Sequence, residues 1–230
     1  MRPIKKLLLS ITLFISSFCY AQKSDIGNWF IYFGNQAINK KWNWWNEVQY
    51  RNYNFIGDLQ QLLIRTGIGY NLTENNNNVL LGYAFINSQQ YPPNSENKED
   101  KKSSNENRLY EQFTTRQNFN RVFIQHRYRI EERFLTSDFK MRFRYFLSFN
   151  VPINMNTMSK TALYASAYNE IFLNTQSPVF DRDRLYAGMG YVINSKFKVE
   201  IGFMTQIQET TSRGQFQIML FNNTPFKSNK

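Results

Sequence analysis

The feature that most constrains this chain is a strict alternation of side-chain type. Residues 138–150 read DFKMRFRYFLSFN. Phe139, Met141, Phe143, Tyr145, Leu147 and Phe149 share one phase, and Lys140, Arg142, Arg144, Ser148 and Asn150 the other, with Phe146 as the exception. A helix would scatter these residues around its circumference, whereas a strand points successive side chains to opposite faces. The same period of two recurs over 43–53, 61–70, 79–86, 122–133, 162–172, 184–192, 197–206 and 215–221. Weaker candidates occupy 26–35 and 107–116; in the second, Glu111 falls in the apolar phase of Leu109 and Phe113, which leaves its facing open. No segment carries a helical period, so the predicted class is all-β.

The connections are polar: 71–78, 135–138, 194–196 and 209–214. The longest, 88–107, holds two prolines and many charges and reads as a long polar outer loop. Nothing marks a domain boundary.

The N-terminus sets a compartment. Arg2, Lys5 and Lys6 precede the apolar run LLLSITLFI, and Cys19-Tyr20-Ala21 makes a small-x-small cleavage site before Gln22. This predicts a cleaved export signal over 1–21 and a mature domain over 22–230. Phe18, just before Cys19, fits poorly with the alternative of a lipidated cysteine. Cys19 is the only cysteine, so the mature chain has no disulfide, thiol nucleophile or thiolate metal site. No other stretch approaches the ~20 apolar residues of a membrane helix, which excludes a helical bundle.

A soluble sandwich also alternates, with its apolar phase as the core. Here the polar phase is rich in Arg, Glu, Gln and Gly. The apolar phase is aromatic toward strand ends, at Tyr50, Tyr70, Phe149, Tyr191 and Phe203. That pattern favours a single antiparallel transmembrane β-barrel, whose apolar phase meets lipid, whose polar phase fills the lumen, and whose aromatics belt the interfaces. Eleven candidate strands are present, but an antiparallel bacterial barrel has an even number. Parity therefore predicts ten or twelve, within a range of 10–12 strands, with the discrepancy upstream of residue 88, where 26–35 is weakest. A periplasmic C-terminus would put 88–107 outside and the 194–196 turn inside.

Parity assigns the interior. Arg51, Arg65, Arg108, Arg127, Arg129 and Arg133 point inward, as do Lys140, Arg142, Arg144, Arg184 and Lys198, against Glu47, Glu131, Glu170 and Glu200. The lumen-lining candidates are Arg51, Arg65, Arg127, Arg129, Glu131, Arg133, Arg142, Arg144, Glu170, Arg184 and Glu200. Unpaired charge in a narrow lumen is costly, so the acids should bridge arginines. Arg127, Arg129, Arg142 and Arg144 come from consecutive strands and should share one wall, with Glu131 and Glu170 as the nearest acids. Glycines beside aromatics, as in Gly82-Tyr83 and Gly188-Met189-Gly190-Tyr191, would relieve crowding inside a small barrel.

Several stretches together resemble a known family. They are HRYRIEERF at 126–134, Arg142-Phe143-Arg144-Tyr145, Pro152, Tyr168-Asn169-Glu170-Ile171-Phe172-Leu173-Asn174 and Phe180-Asp181-Arg182-Asp183-Arg184-Leu185-Tyr186. Trp29 and Glu47-Val48-Gln49-Tyr50-Arg51 stand near the start. The combination resembles domain-of-unknown-function family 2490, exported bacterial proteins regarded as outer-membrane β-barrels, over roughly residues 25–226. The resemblance implies the barrel and the outer membrane, and no activity.

Function is thus expected from the lumen. One expectation is a small passive porin or an anion-preferring ligand or solute barrel, since rings of Arg or Lys select anions. The alternative is a non-conducting structural or interaction barrel, plugged by an Arg–Glu network, whose outer loops meet a partner. An outer-membrane lipid-modifying enzyme is disfavoured. His126 is the sole histidine, lies on the apolar phase, and is followed by Arg127 and Tyr128 rather than a His-x-Ser-Asn-Gly-type motif. No catalytic residue, metal site or cofactor is expected. The partners expected are outer-membrane lipid or lipopolysaccharide, which Lys98, Lys101 and Lys102 could meet, and small anionic solutes. Despite a net charge of +11, nucleic acid is not expected, because the cations alternate with lipid-type residues instead of clustering.

Overall fold

The computed structural model describes residues 26–73, 76–92 and 98–226. The predicted leader and its cleavage site lie outside the described residues. The chain forms one closed barrel of eleven strands: β1 (Gly27–Ala37), β2 (Trp42–Asn52), β3 (Leu59–Asn71), β4 (Asn77–Gln90), β5 (Lys102–Phe119), β6 (Val122–Leu135), β7 (Phe139–Pro152), β8 (Leu163–Asn174), β9 (Phe180–Val192), β10 (Phe197–Ile207) and β11 (Ser212–Asn222). The only helical element among the described residues is a single 3-10 turn, Lys98–Asp100.

Sequence neighbours pair antiparallel around the wall, but the closing pair is parallel: β1 lies beside β11, from Gly27 opposite Gln215 to Gly34 opposite Asn222. The even-number expectation therefore fails. It assumes that every neighbouring pair is antiparallel, and a parallel closing pair lifts that condition. The segment suspected of being miscounted, 26–35, is a full strand.

The connections alternate between two rims. Strands β1, β3, β5, β7, β9 and β11 end at one rim, called here the C-terminal rim. Strands β2, β4, β6, β8 and β10 end at the opposite, N-terminal rim, where β1 starts. The expected long loop over 88–107 is shorter than its composition suggested. β4 and β5 continue into it as a polar ribbon, in which the Asn87 amide donates to Asn105 Oδ1 (2.8 Å) and Ser103 Oγ (2.9 Å). Serines, asparagines and charges read as loop, yet their side chains bond across the strands.

Alternation sorts inside from outside. Val48, Ile64, Leu81, Phe143, Ile201 and Ile218 stand exposed on the outer wall, whereas Glu47, Arg65, Glu131, Arg144 and Glu170 are buried within. This inverts the logic of a soluble core, as a lipid-facing barrel would. Glu111 takes the outer wall, between Leu81 and Ile130 on the flanking strands. Phe146 follows the polar phase inward and lies under the Arg127 guanidinium, 4.4 Å from its ring centre.

Glycines make the interior fit. An added Cβ on Gly82 would run into the ring of Tyr110, its partner on β5, and one on Gly190 into Tyr164, its partner on β8. Each Tyr folds over the glycine beside it. The interior is not purely polar: Leu63, Leu80, Ala84, Ile86 and Tyr110 form one buried apolar cluster, and Trp29, Ile31, Tyr186, Met204 and Met219 another.

Candidate functional site

The half of the interior toward the N-terminal rim is occupied by a charged network. Its centre is Glu131 on β6, with no exposed surface. One carboxylate oxygen accepts from Arg142 (2.6 Å) and Arg108 (3.3 Å), and the other from Arg144. Arg144 also donates to Glu170 (2.6 Å), which accepts from Arg127 (2.7 Å) and has Arg184 at 3.6 Å. Glu106 bridges Arg108 (2.7 Å) and Arg133 (2.5 Å), and Asp181 joins Arg142 to Arg182. Glu47 pairs with Arg65. A buried carboxylate that accepts from several guanidinium groups recovers the attraction that offsets its desolvation.

Beside this network lies a cavity of about 530 Å³, which runs from Trp29 and Arg51, near the N-terminal-rim ends of β1 and β2, toward the C-terminal rim. It reaches that rim at Ala37 and Asn223, both exposed. Of the predicted lumen candidates, Arg51, Arg65, Arg127, Arg129, Arg144, Glu170, Arg184 and Glu200 line it. Glu131, Arg133 and Arg142 lie in the network beyond its lining. Eight cationic side chains line the cavity against three carboxylates, Glu47, Glu170 and Glu200, so its wall carries a positive surplus.

The surplus is visible at individual groups. Arg51 donates only to amide oxygens, of Gln49 (2.9 Å) and Gln61 (2.7 Å), and stacks 3.7 Å over Trp29. Among the described residues, Arg116 on β5 bonds Gln125 (3.1 Å) and forms no ion pair. Lys198, on β10 across the barrel, lies 4.2 Å over the Phe221 ring and forms none with a described residue either. Arg129, 3% exposed, binds Gln112 (2.6 Å), but its Nη1 is buried without a hydrogen-bond partner, with Glu131 at 3.6 Å. Glu200 is instead held by the Tyr164 hydroxyl (2.9 Å).

Sequence parity missed several members. Glu106 was read as loop. Asp181 sits where β9 shifts register against β8, next to the slip between Phe172 and Leu173, so parity assigns it no face. Arg116, Arg182 and the inward aromatics Phe33, Trp45 and Phe221 were also absent from the predicted set. The cation Lys101, expected to meet lipid head groups, is turned into the barrel end. It pairs with Asp58, donates to the Leu59 carbonyl (2.9 Å) and lies over the rings of Tyr53 and Tyr91. His126 faces outward, with Nδ1 2.8 Å from the Tyr145 hydroxyl. A larger concavity, about 840 Å³, lies on the outer wall among Leu81, Phe113, Tyr128, Ile130 and Phe143, with Glu111 between Leu81 and Ile130 inside it. Among the described residues, no group of three or more His, Cys, Asp or Glu is placed to hold a metal ion.

A family model described as protein of unknown function (DUF2490) matches residues 26–217, nearly the whole of the barrel. The comparisons with curated proteins and with solved structures found no match.

Proposed function

The chain belongs to the DUF2490 family, and from that premise we propose that it is an outer-membrane barrel that binds small anions in a one-ended vestibule instead of passing them through. The observation that carries this reading is the excess of cations around the cavity, with Arg116 and Lys198 unpaired at its wall. Arg116 and Lys198 are half-buried, and a surplus of like charge in a confined space is costly, so an anion entering from the C-terminal rim supplies the counter-charge. Three further features support it. Strands of 11–18 residues meet or exceed the ~9–11 needed to cross a tilted bilayer. The outer wall is mainly apolar, with Glu111 and His126 as exceptions. At its N-terminal end the cavity stops at the buried Trp29 and Arg51, beside the network around Glu131, which argues against a continuous pore. With the C-terminal rim periplasmic, the vestibule opens to the periplasm. The role proposed is binding without catalysis.

Two measurements on the refolded protein test this. In planar bilayers it should show no steady conductance. In micelles, 10 mM inorganic phosphate should raise the melting temperature by about 2–4 °C over chloride of matched ionic strength, equivalent to roughly 1 kcal/mol for a chain of this size. Arg116→Gln combined with Lys198→Gln should abolish the rise. Steady anion-selective conductance would replace the proposal with a pore, and indifference to phosphate would remove the binding role.

A further inference from the structure

The wall of the vestibule is more specific than a simple anion requires. Between its mouth and the network runs a chain of four amides from four consecutive strands. Asn43 donates to Asn35 (2.7 Å), and Asn78 donates to Asn43 (2.8 Å) and Asn71 (2.9 Å). All four line the cavity. An amide offers two donors and two acceptor lone pairs, and these bonds use only part of that capacity. Hydroxyls and amides continue the collar on the opposite wall, at Ser148, Asn150 and Ser166.

Next to the amides lies an aromatic platform. The Phe33 ring stacks on Phe221 at 5.1 Å and tilts against Trp45 at 5.8 Å, and all three rings line the cavity. Asn35 and Trp45 are directly paired across β1 and β2, so platform and amides share one wall. The cations stand elsewhere: Arg116 and Arg127 on adjacent strands β5 and β6, and Lys198 at the edge of the platform, over Phe221.

Each part selects a different portion of a ligand. Inorganic phosphate would use the cations and leave the amide collar and rings without partners. An aliphatic acid would use cations and rings, but would strip water from the amides without replacing it, at a cost per group of about 1–3 kcal/mol. A neutral sugar would use collar and rings and leave the surplus charge unmet. A sugar ring has C–H faces whose positive edge suits an aromatic face, and equatorial hydroxyls that both donate and accept. Adding one anionic group engages the cations. The volume, about 530 Å³, lies in the ordinary range for small-ligand pockets of ~300–1,000 Å³.

We infer that the vestibule's ligand is an acidic sugar of one or two residues, a uronate or a sugar phosphate, with its anion toward Arg116, Arg127 and Lys198 and its ring on Phe33, Trp45 and Phe221. This rests on the anion-binding reading above and narrows it. Titration calorimetry of the refolded full barrel, with glucuronate, glucose 6-phosphate, glucose, acetate and inorganic phosphate, tests it. Glucuronate should bind at least tenfold more tightly than acetate, or glucose 6-phosphate at least tenfold more tightly than inorganic phosphate, with glucose weaker than either acid. Which of the two acids wins identifies the anion. Asn35→Ala should weaken the preferred sugar acid several-fold more than it weakens the matching simple anion, with far-ultraviolet circular dichroism confirming the fold. Equal affinity for each sugar acid and its simple counterpart would overturn this inference while leaving the anion reading intact. Binding of none of the anions would overturn both.

Discussion

Glu131 shows how much one residue holds in this interior. It has no exposed surface and collects Arg108, Arg142 and Arg144. Glu131→Gln keeps the shape and removes the charge, leaving Arg108, Arg142 and Arg144 with one acid each (Glu106, Asp181 and Glu170) and Arg129 with none among the described residues. We expect a loss of about 3–5 kcal/mol, read by urea unfolding in liposomes. Glu132, its neighbour on the opposite phase, forms no ion pair, so Glu132→Gln should cost far less; equal losses would mean that the network contributes nothing. Alternation was enough to place Glu131 and Glu170 among the arginines, because parity is a local property of a strand. It failed for Asp181, where a register shift breaks the count, and for Glu106, whose surroundings read as loop. It was also blind to which arginines would lack an acid, since that depends on the barrel's opposite wall.

At the scale of the strand, the pairing of glycine with tyrosine is the device that lets eleven strands close around large side chains. Tyr110 lies over Gly82 and Tyr164 over Gly190, each on the neighbouring strand. Gly82→Val would push a branched side chain into the Tyr110 ring and should destabilise the barrel by about 1–3 kcal/mol. Adding Tyr110→Ala should recover part of that loss, because the two positions are in contact and their effects do not add. Purely additive losses in thermal unfolding would argue against the contact. Glycines beside aromatics hinted at this in the sequence, although the partner proved to be on the next strand and not adjacent in the chain. Strand bodies were legible because lipid-type and lumen-type residues alternate there. Strand ends were not: β5 begins at Lys102, in a run of Ser, Asn and charge, since beyond an apolar belt both faces of a strand can be polar.

At the scale of the whole molecule, the closed all-β architecture followed from alternation, and the manner of closure did not. Periodicity says which way a side chain points. The count of eleven strands already implies that the first and last run the same way, and the even-number rule of all-antiparallel barrels set that count aside. The vestibule was illegible for another reason. Its volume is what remains after side chains from all eleven strands have met, and no segment carries that information.

The parallel seam between β1 and β11 has a consequence for how the chain meets its own copies. Its two edges are different strands with complementary ladders, and each is bare whenever the seam opens. An opened barrel thus presents a head and a tail, and β1 of one copy can accept β11 of another in the register it would use at home. Such a contact is directional: it closes into a double-sized ring or propagates without end. Ile218→Pro, which removes a donor from β11 within its ladder to β1 and β10, should give a detergent-resistant ladder of oligomers on unheated gels that the unsubstituted chain does not give. A variant that stays monomeric would show that the two edges do not exchange.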